Sequence, residues 1–107
     1  MRFTRVLLPL ALIAAVLTFA QALAYDGFDA DAATCTQGKN KADVVAACTR
    51  LIDNAATENA IIGMFYGLRA ANNDDKEQNC SDARKSFELA DDPAIKGLSQ
   101  QLIDANC

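Results

Sequence analysis

Residues 41–54 read KADVVAACTRLIDN, and the spacing within this stretch decides the fold class. Val44, Val45, Cys48, Leu51 and Ile52 recur at intervals of three and four, the period of an α-helix with one apolar face. The same rhythm returns three times downstream. Ala60, Ile61, Met64, Phe65 and Leu68 predict a helix over 58–71, with Thr57 as its N-cap. Cys80, Ala83, Phe87 and Ala90 predict a helix over 76–90, with Phe87 at the centre of its core-facing stripe. Ile95, Leu98, Leu102 and Ile103 predict the last, over 93–105. Asp92 can cap that helix, and Pro93 takes the first helical position, where its missing N–H costs nothing. No run alternates β-branched with polar residues, so no sheet is expected. Connections as short as Asp91-Asp92 force successive helices to fold back on each other. The expected architecture is therefore all-α: four antiparallel helices over residues 41–107, forming two tandem helical hairpins. Tyr25 to about Asn40 reads as an irregular acidic lead.

Residues 1–24 have the layout of an export signal. Arg2 and Arg5 give a positive start, Val6 to Phe19 are apolar apart from Pro9 and Thr18, and Ala22-Leu23-Ala24 supplies small residues for a peptidase. The apolar run falls short of the roughly 20 residues a membrane span needs. A cleaved leader is expected, with no membrane span after cleavage and a periplasmic or secreted product. The first cysteine is Cys35, too far downstream to carry a lipid anchor at the cleavage point.

All 14 acidic residues lie beyond Ala24, against 8 of the 10 basic ones, which gives that part a net charge of −6. A negative surface with scattered cations repels nucleic acid and anionic membranes, so neither is an expected partner. Beyond Ala24 the chain offers only 18 large apolar side chains and 15 alanines. Such a core is marginal for one small domain. Four cysteines offer the missing stabilisation, and in an oxidising compartment they read as two disulfides worth about 3 kcal/mol each. Zinc is the competing use. It fails because the chain has no C-x₂₋₄-C pair and no histidine. Nor is there a C-x-x-C motif for redox chemistry or haem attachment.

Catalytic groups are equally thin. Without histidine, a serine nucleophile lacks its usual general base, and Ser81, Ser86 and Ser99 have no nucleophile-elbow glycines around them. The carboxylates Asp43, Asp53, Asp82 and Glu88 fall on predicted polar faces. Asp74-Asp75, Asp26, Asp29 and Asp31 read as solvated helix starts, since they lack the alternating spacing and central glycine of a calcium loop. No catalytic residue, cofactor or metal is expected.

The helices also resemble one another. Val44, Cys48 and Leu51 match Ala83, Phe87 and Ala90 at a constant offset, and Ala60, Ile61, Gly63, Met64 and Leu68 match Ala94, Ile95, Gly97, Leu98 and Leu102 at another. A hairpin duplicated in tandem produces this pattern, although any two amphipathic helices share apolar positions once slid into register. A period of about 34 residues, the offset of the second set, with Ala83-x₃-Phe87-x₂-Ala90 shortly before Pro93, resembles the second helix of a tetratricopeptide (TPR) repeat. Val44 to Ile52 looks like the same helix in small exported bacterial TPR-type proteins, where a cysteine often stands upstream as Cys35 does. Ala60–Ala71, with Phe65-Tyr66-Gly67-Leu68, resembles a repeat's first helix. Sel1-like repeats are close relatives and the other candidate.

In that hairpin arrangement the start of the third helix meets the end of the fourth, which implies the pairs Cys80–Cys107 and Cys35–Cys48. A bridge from Cys48 to Cys80, stitching the two hairpins together, is the alternative. The resemblance implies a non-enzymatic protein-interaction module whose partner is a protein or peptide. The consecutive side chains Met64, Phe65 and Tyr66 cover more than half the circumference of their helix, so at least one faces outward. Tyr66 and Met64 are the candidate partner contacts; the bland alternative puts Met64 in the core and Tyr66 on its rim. A secreted effector or inhibitor, and a carrier of small apolar ligands, are the other readings the sequence allows.

Overall fold

A computed structural model describes residues 25–107; the expected leader lies outside the described residues. Five helices and no strand are found among them: α1 (Phe28–Gln37), α2 (Lys41–Asn54), α3 (Asn59–Asn72), α4 (Lys76–Leu89) and α5 (Pro93–Asn106). Most starts follow capping chemistry. The Asn40 side chain accepts from the Asp43 N–H, Asp75 from Glu77 and Gln78, and Asp92 from Ala94. Thr57 does not cap α3: Glu58 occupies that position and makes no side-chain cap bond.

The fifth helix corrects the expectation of an irregular lead and of a four-helix count. Phe28, Ala32 and Cys35 recur at spacings of four and three and turn toward the core. Asp29 and Asp31 sit in the first turn, where the positive end of the helix favours acidic side chains. Gly27 precedes that turn at φ +89°, a conformation that a residue bearing a Cβ adopts only with strain.

The chain forms two rows. The helices α1, α3 and α5 touch in sequence along one row, while α2 and α4 lie behind, each packed between its chain neighbours without meeting the other. Successive helices are antiparallel, because their paired residues advance in opposite directions. Asp31 meets Arg50 while Cys35 meets Cys48, and Ser86 meets Ser99 while Cys80 meets Cys107. Both disulfides therefore join chain-adjacent helices: Cys35–Cys48 ties α1 to α2, and Cys80–Cys107 ties α4 to α5.

The core is uneven. Cys35, Val44, Ala47, Cys48, Leu51 and Phe65 form one buried apolar cluster among α1, α2 and α3. The buried residues of α4 are Asn79, Asp82, Ala83 and Ser86, and α5 buries only Ser99. Phe87, expected in the core, stands at the surface with 36% exposure. The reason is close helix approach: a Cβ added at Gly63 would lie 2.9 Å from Leu89 Cβ and 3.3 Å from the Ser86 carbonyl oxygen. Small side chains fit that contact and a phenyl ring does not. Phe87 instead lies beneath Lys96, whose Nζ is 4.5 Å from the ring centroid and donates to the Phe87 carbonyl at 3.1 Å. Gly97, matched with Gly63 by the repeat, faces open space, so the two glycines do not share a role.

Candidate functional site

Where α3 and α5 run side by side over α4, they leave a groove of about 260 Å³. Met64, Gly67, Leu68 and Ala71 form one wall, and Ile95, Leu98 and Leu102 form the other. Ser86 and Ser99 line it as well, with their hydroxyls hydrogen-bonded to each other at 2.8 Å. These polar groups are thereby satisfied within the fold, and the Ser99 hydroxyl also reaches the Ile95 carbonyl. Leu98, at 56% exposure, stands open to solvent on the rim, as do Ala71 and Gln101. The lining is apolar and uncharged, so it can hold aliphatic or aromatic groups by exclusion of water and offers nothing to a charged ligand.

The two candidate contacts separate here. Met64 lines the groove. Tyr66 does not: it is half-buried in shallow pockets beside Glu77, Ser81 and Asp82, with the Arg69 guanidinium 5.6 Å from its ring centroid. They belong to different surfaces of α3. Sequence reasoning missed Leu98 and Leu102 as site residues. The signal available was that α4 carries only Phe87 and Leu89 as large apolar partners for the apolar face of α5.

Two ion pairs cross between helices, Arg69–Asp82 behind the α3 wall and Asp31–Arg50 between α1 and α2, and both correct the expectation that their carboxylates are solvated. Asp82 is 3% exposed and receives a two-pronged contact from Arg69, Nε to Oδ2 at 2.7 Å and Nη2 to Oδ1 at 2.8 Å. Arg69 Nη1 donates to the Thr49 hydroxyl at 3.2 Å, so one guanidinium links α2, α3 and α4. The hydrogen bonds to Asp82 raise the Arg69 pKa above its ordinary value. Asp31, also buried, accepts from Arg50 and, at 2.6 Å, from the Tyr25 hydroxyl. Arg50 first and Tyr25 second hold Asp31 below the usual carboxylate range. Burial, followed by the bond to Asp31, pushes the Tyr25 phenol up to about 12. Tyr25 thus anchors the start of the described chain to α1 and α2.

Among the described residues no group of three or more Cys, Asp and Glu side chains is placed to hold a metal ion, and no helix is long and apolar enough to cross a membrane. The two disulfides are compatible with an oxidising extracellular environment. Comparison with protein-family models, with curated proteins and with solved structures gives no match.

Proposed function

We propose that this protein is an exported, non-enzymatic interaction module of TPR-like type that takes an apolar segment of a partner polypeptide into the α3–α5 groove. The observation that carries the reading is the open, apolar-lined groove, rimmed by the exposed Leu98. The two-row arrangement supports it: in helical-repeat scaffolds the helices of one row line the surface that binds peptides. With α1 completing a hairpin with α2, the chain reads as two hairpins, α1–α2 and α3–α4, followed by α5 as a closing helix. Size favours a peptide over a free small ligand. Enclosed ligand pockets run from about 300 to 1,000 Å³, whereas this one is smaller and open along its rim. Two or three apolar side chains of a partner segment fill it. An effector or inhibitor acting on a target outside the producing cell would use the same groove.

The test is photo-crosslinking in the extracytoplasmic compartment, with the probe at Gln101 on the groove rim of the full chain. A discrete polypeptide is expected, captured by the wild-type groove and lost with Leu98→Asp. An unchanged capture pattern with Leu98→Asp, or capture dependent on Tyr66 instead, would reject the groove as the binding surface. Retention of radiolabelled fatty acid by the purified protein, with no polypeptide captured, would establish the carrier reading.

A further inference from the structure

The two disulfides sit in opposite surroundings. Cys35 and Cys48 are 2% and 0% exposed inside the apolar cluster, where no thiol in solution reaches them. Cys107 is exposed and Cys80 half-buried, and both line an open surface pocket with Arg84, Lys85, Glu77 and Glu88. Lys85 is paired with Glu88 at 3.7 Å, whereas Arg84 makes no ion pair among the described residues. Cys80 is the fifth residue of α4, and Arg84 follows one turn later on the same face.

Apart from this bond, α5 is held by half-buried apolar side chains and a few polar ties. Ser99 is its only fully buried residue, and no α5 side chain joins the main apolar cluster. Its remaining polar ties are few: Ser86 to Ser99, Lys96 to the Phe87 carbonyl, and a 3.4 Å contact between Asn79 and Asn106. We infer that Cys80–Cys107 is a thiol–disulfide exchange site for low-molecular-weight thiols, and that its opening releases α5 and dismantles the groove. A small thiolate attacks Sγ of Cys107, the more exposed residue of the pair, forming a mixed disulfide there and expelling Cys80 as a thiolate. Arg84, in the same pocket, stabilises that leaving group. A second small thiolate then attacks the mixed disulfide, releasing Cys107 as a thiolate and the small molecule as its own disulfide. Two electrons pass from two small thiols to one protein disulfide. Cys35–Cys48 stays closed, so α1, α2 and α3 keep their packing.

This inference rests on the groove reading only for its consequence; the exchange site stands on exposure and packing. The experiment titrates the oxidised full chain with glutathione, alkylates the free thiols, maps them by peptide mass spectrometry and follows amide hydrogen exchange in parallel. Cys80 and Cys107 are expected to label at a thiol concentration at least tenfold below that needed for Cys35 and Cys48. Amides of residues 94–106 are expected to exchange at least tenfold faster once labelled, with residues 41–54 unchanged. Simultaneous labelling of all four cysteines, or unchanged exchange in α5 after selective reduction, overturns the inference. The Cys80→Ser/Cys107→Ser variant supplies the open state without reductant, and normal protection of α5 in it would overturn the inference equally. Partner capture by the oxidised protein separates the two readings. Its absence sinks the proposed function while the exchange data still decide the clasp.

Discussion

The Arg69–Asp82 pair offers the sharpest quantitative test of the packing. Asp82→Leu keeps the branched shape of the side chain, at somewhat larger volume, and removes the charge, stranding a guanidinium whose residue is 9% exposed. Breaking one side of a buried pair costs about 3–5 kcal/mol. The lower end applies, because the Thr49 hydroxyl still accepts from Arg69 and the Asp53 carboxylate still attracts it. A loss of about 3 kcal/mol corresponds to a fall in melting temperature of roughly 12–24 °C for a domain of this size. Arg69→Met strands Asp82 instead and is expected to cost at least as much, since a carboxylate 3% exposed has fewer remaining donors. The double variant Arg69→Met/Asp82→Leu strands nothing, and it should fall within about 1 kcal/mol of the wild type or exceed it. Urea unfolding followed by circular dichroism measures all four corners of the cycle. Single-variant losses under 1 kcal/mol would refute the argument, as would a double variant that loses the sum of the two.

Other perturbations test separate parts of the fold. Gly63→Ala places a methyl group against Leu89 and the Ser86 carbonyl, and an overpacking loss of about 1–3 kcal/mol is expected in the same urea assay. Phe87→Ala should cost about 1–2 kcal/mol, since the ring is only partly covered; a fully buried phenylalanine would cost about 3–5. In a Tyr66→Phe background, ultraviolet titration should show the Tyr25 phenolate forming near pH 12 rather than near 10. Because the folded value is raised, the stabilisation from Tyr25 is complete below pH 10 and disappears as pH rises through about 12. Asp31 runs the other way. Its folded value is depressed, so its contribution is complete above the unfolded carboxylate value of about 3.9 and fades as pH falls through the folded one. Acid unfolding of Asp31→Asn should therefore lack that component.

Much of the helical framework was legible from periodicity. Val44, Cys48 and Leu51 announce α2 and all three are buried, and Asp92-Pro93 marks the start of α5 to the residue. The first helix was hidden because its apolar stripe is short, while Asp26, Asp29 and Asp31 make the segment read as solvated. In α4 the pattern held for Ala83 and, at the C-cap, for Ala90, which are buried, and misled at Phe87: it is the largest apolar residue there, yet Ser86 and Asp82 face inward instead. Periodicity assumes that the apolar face is the buried one. That assumption fails where glycine and serine bring two helices close and an arginine from a neighbour neutralises a buried carboxylate. The groove was illegible for a related reason: it is the space those small residues leave between α3 and α5, and no motif encodes it.

The turn at Asn73–Asp75 is the only covalent link between the part of the chain bridged by Cys35–Cys48 and the part bridged by Cys80–Cys107. A proteolytic nick there would give two internally crosslinked pieces that remain together through the α3–α4 and α3–α5 contacts and the Arg69 network. The protein is thus a natural candidate for splitting and reassembly. Separated halves should recombine with an affinity that reports directly on that seam, and a Gly63 or Asp82 substitution in one half would be read as weakened reassociation rather than as unfolding.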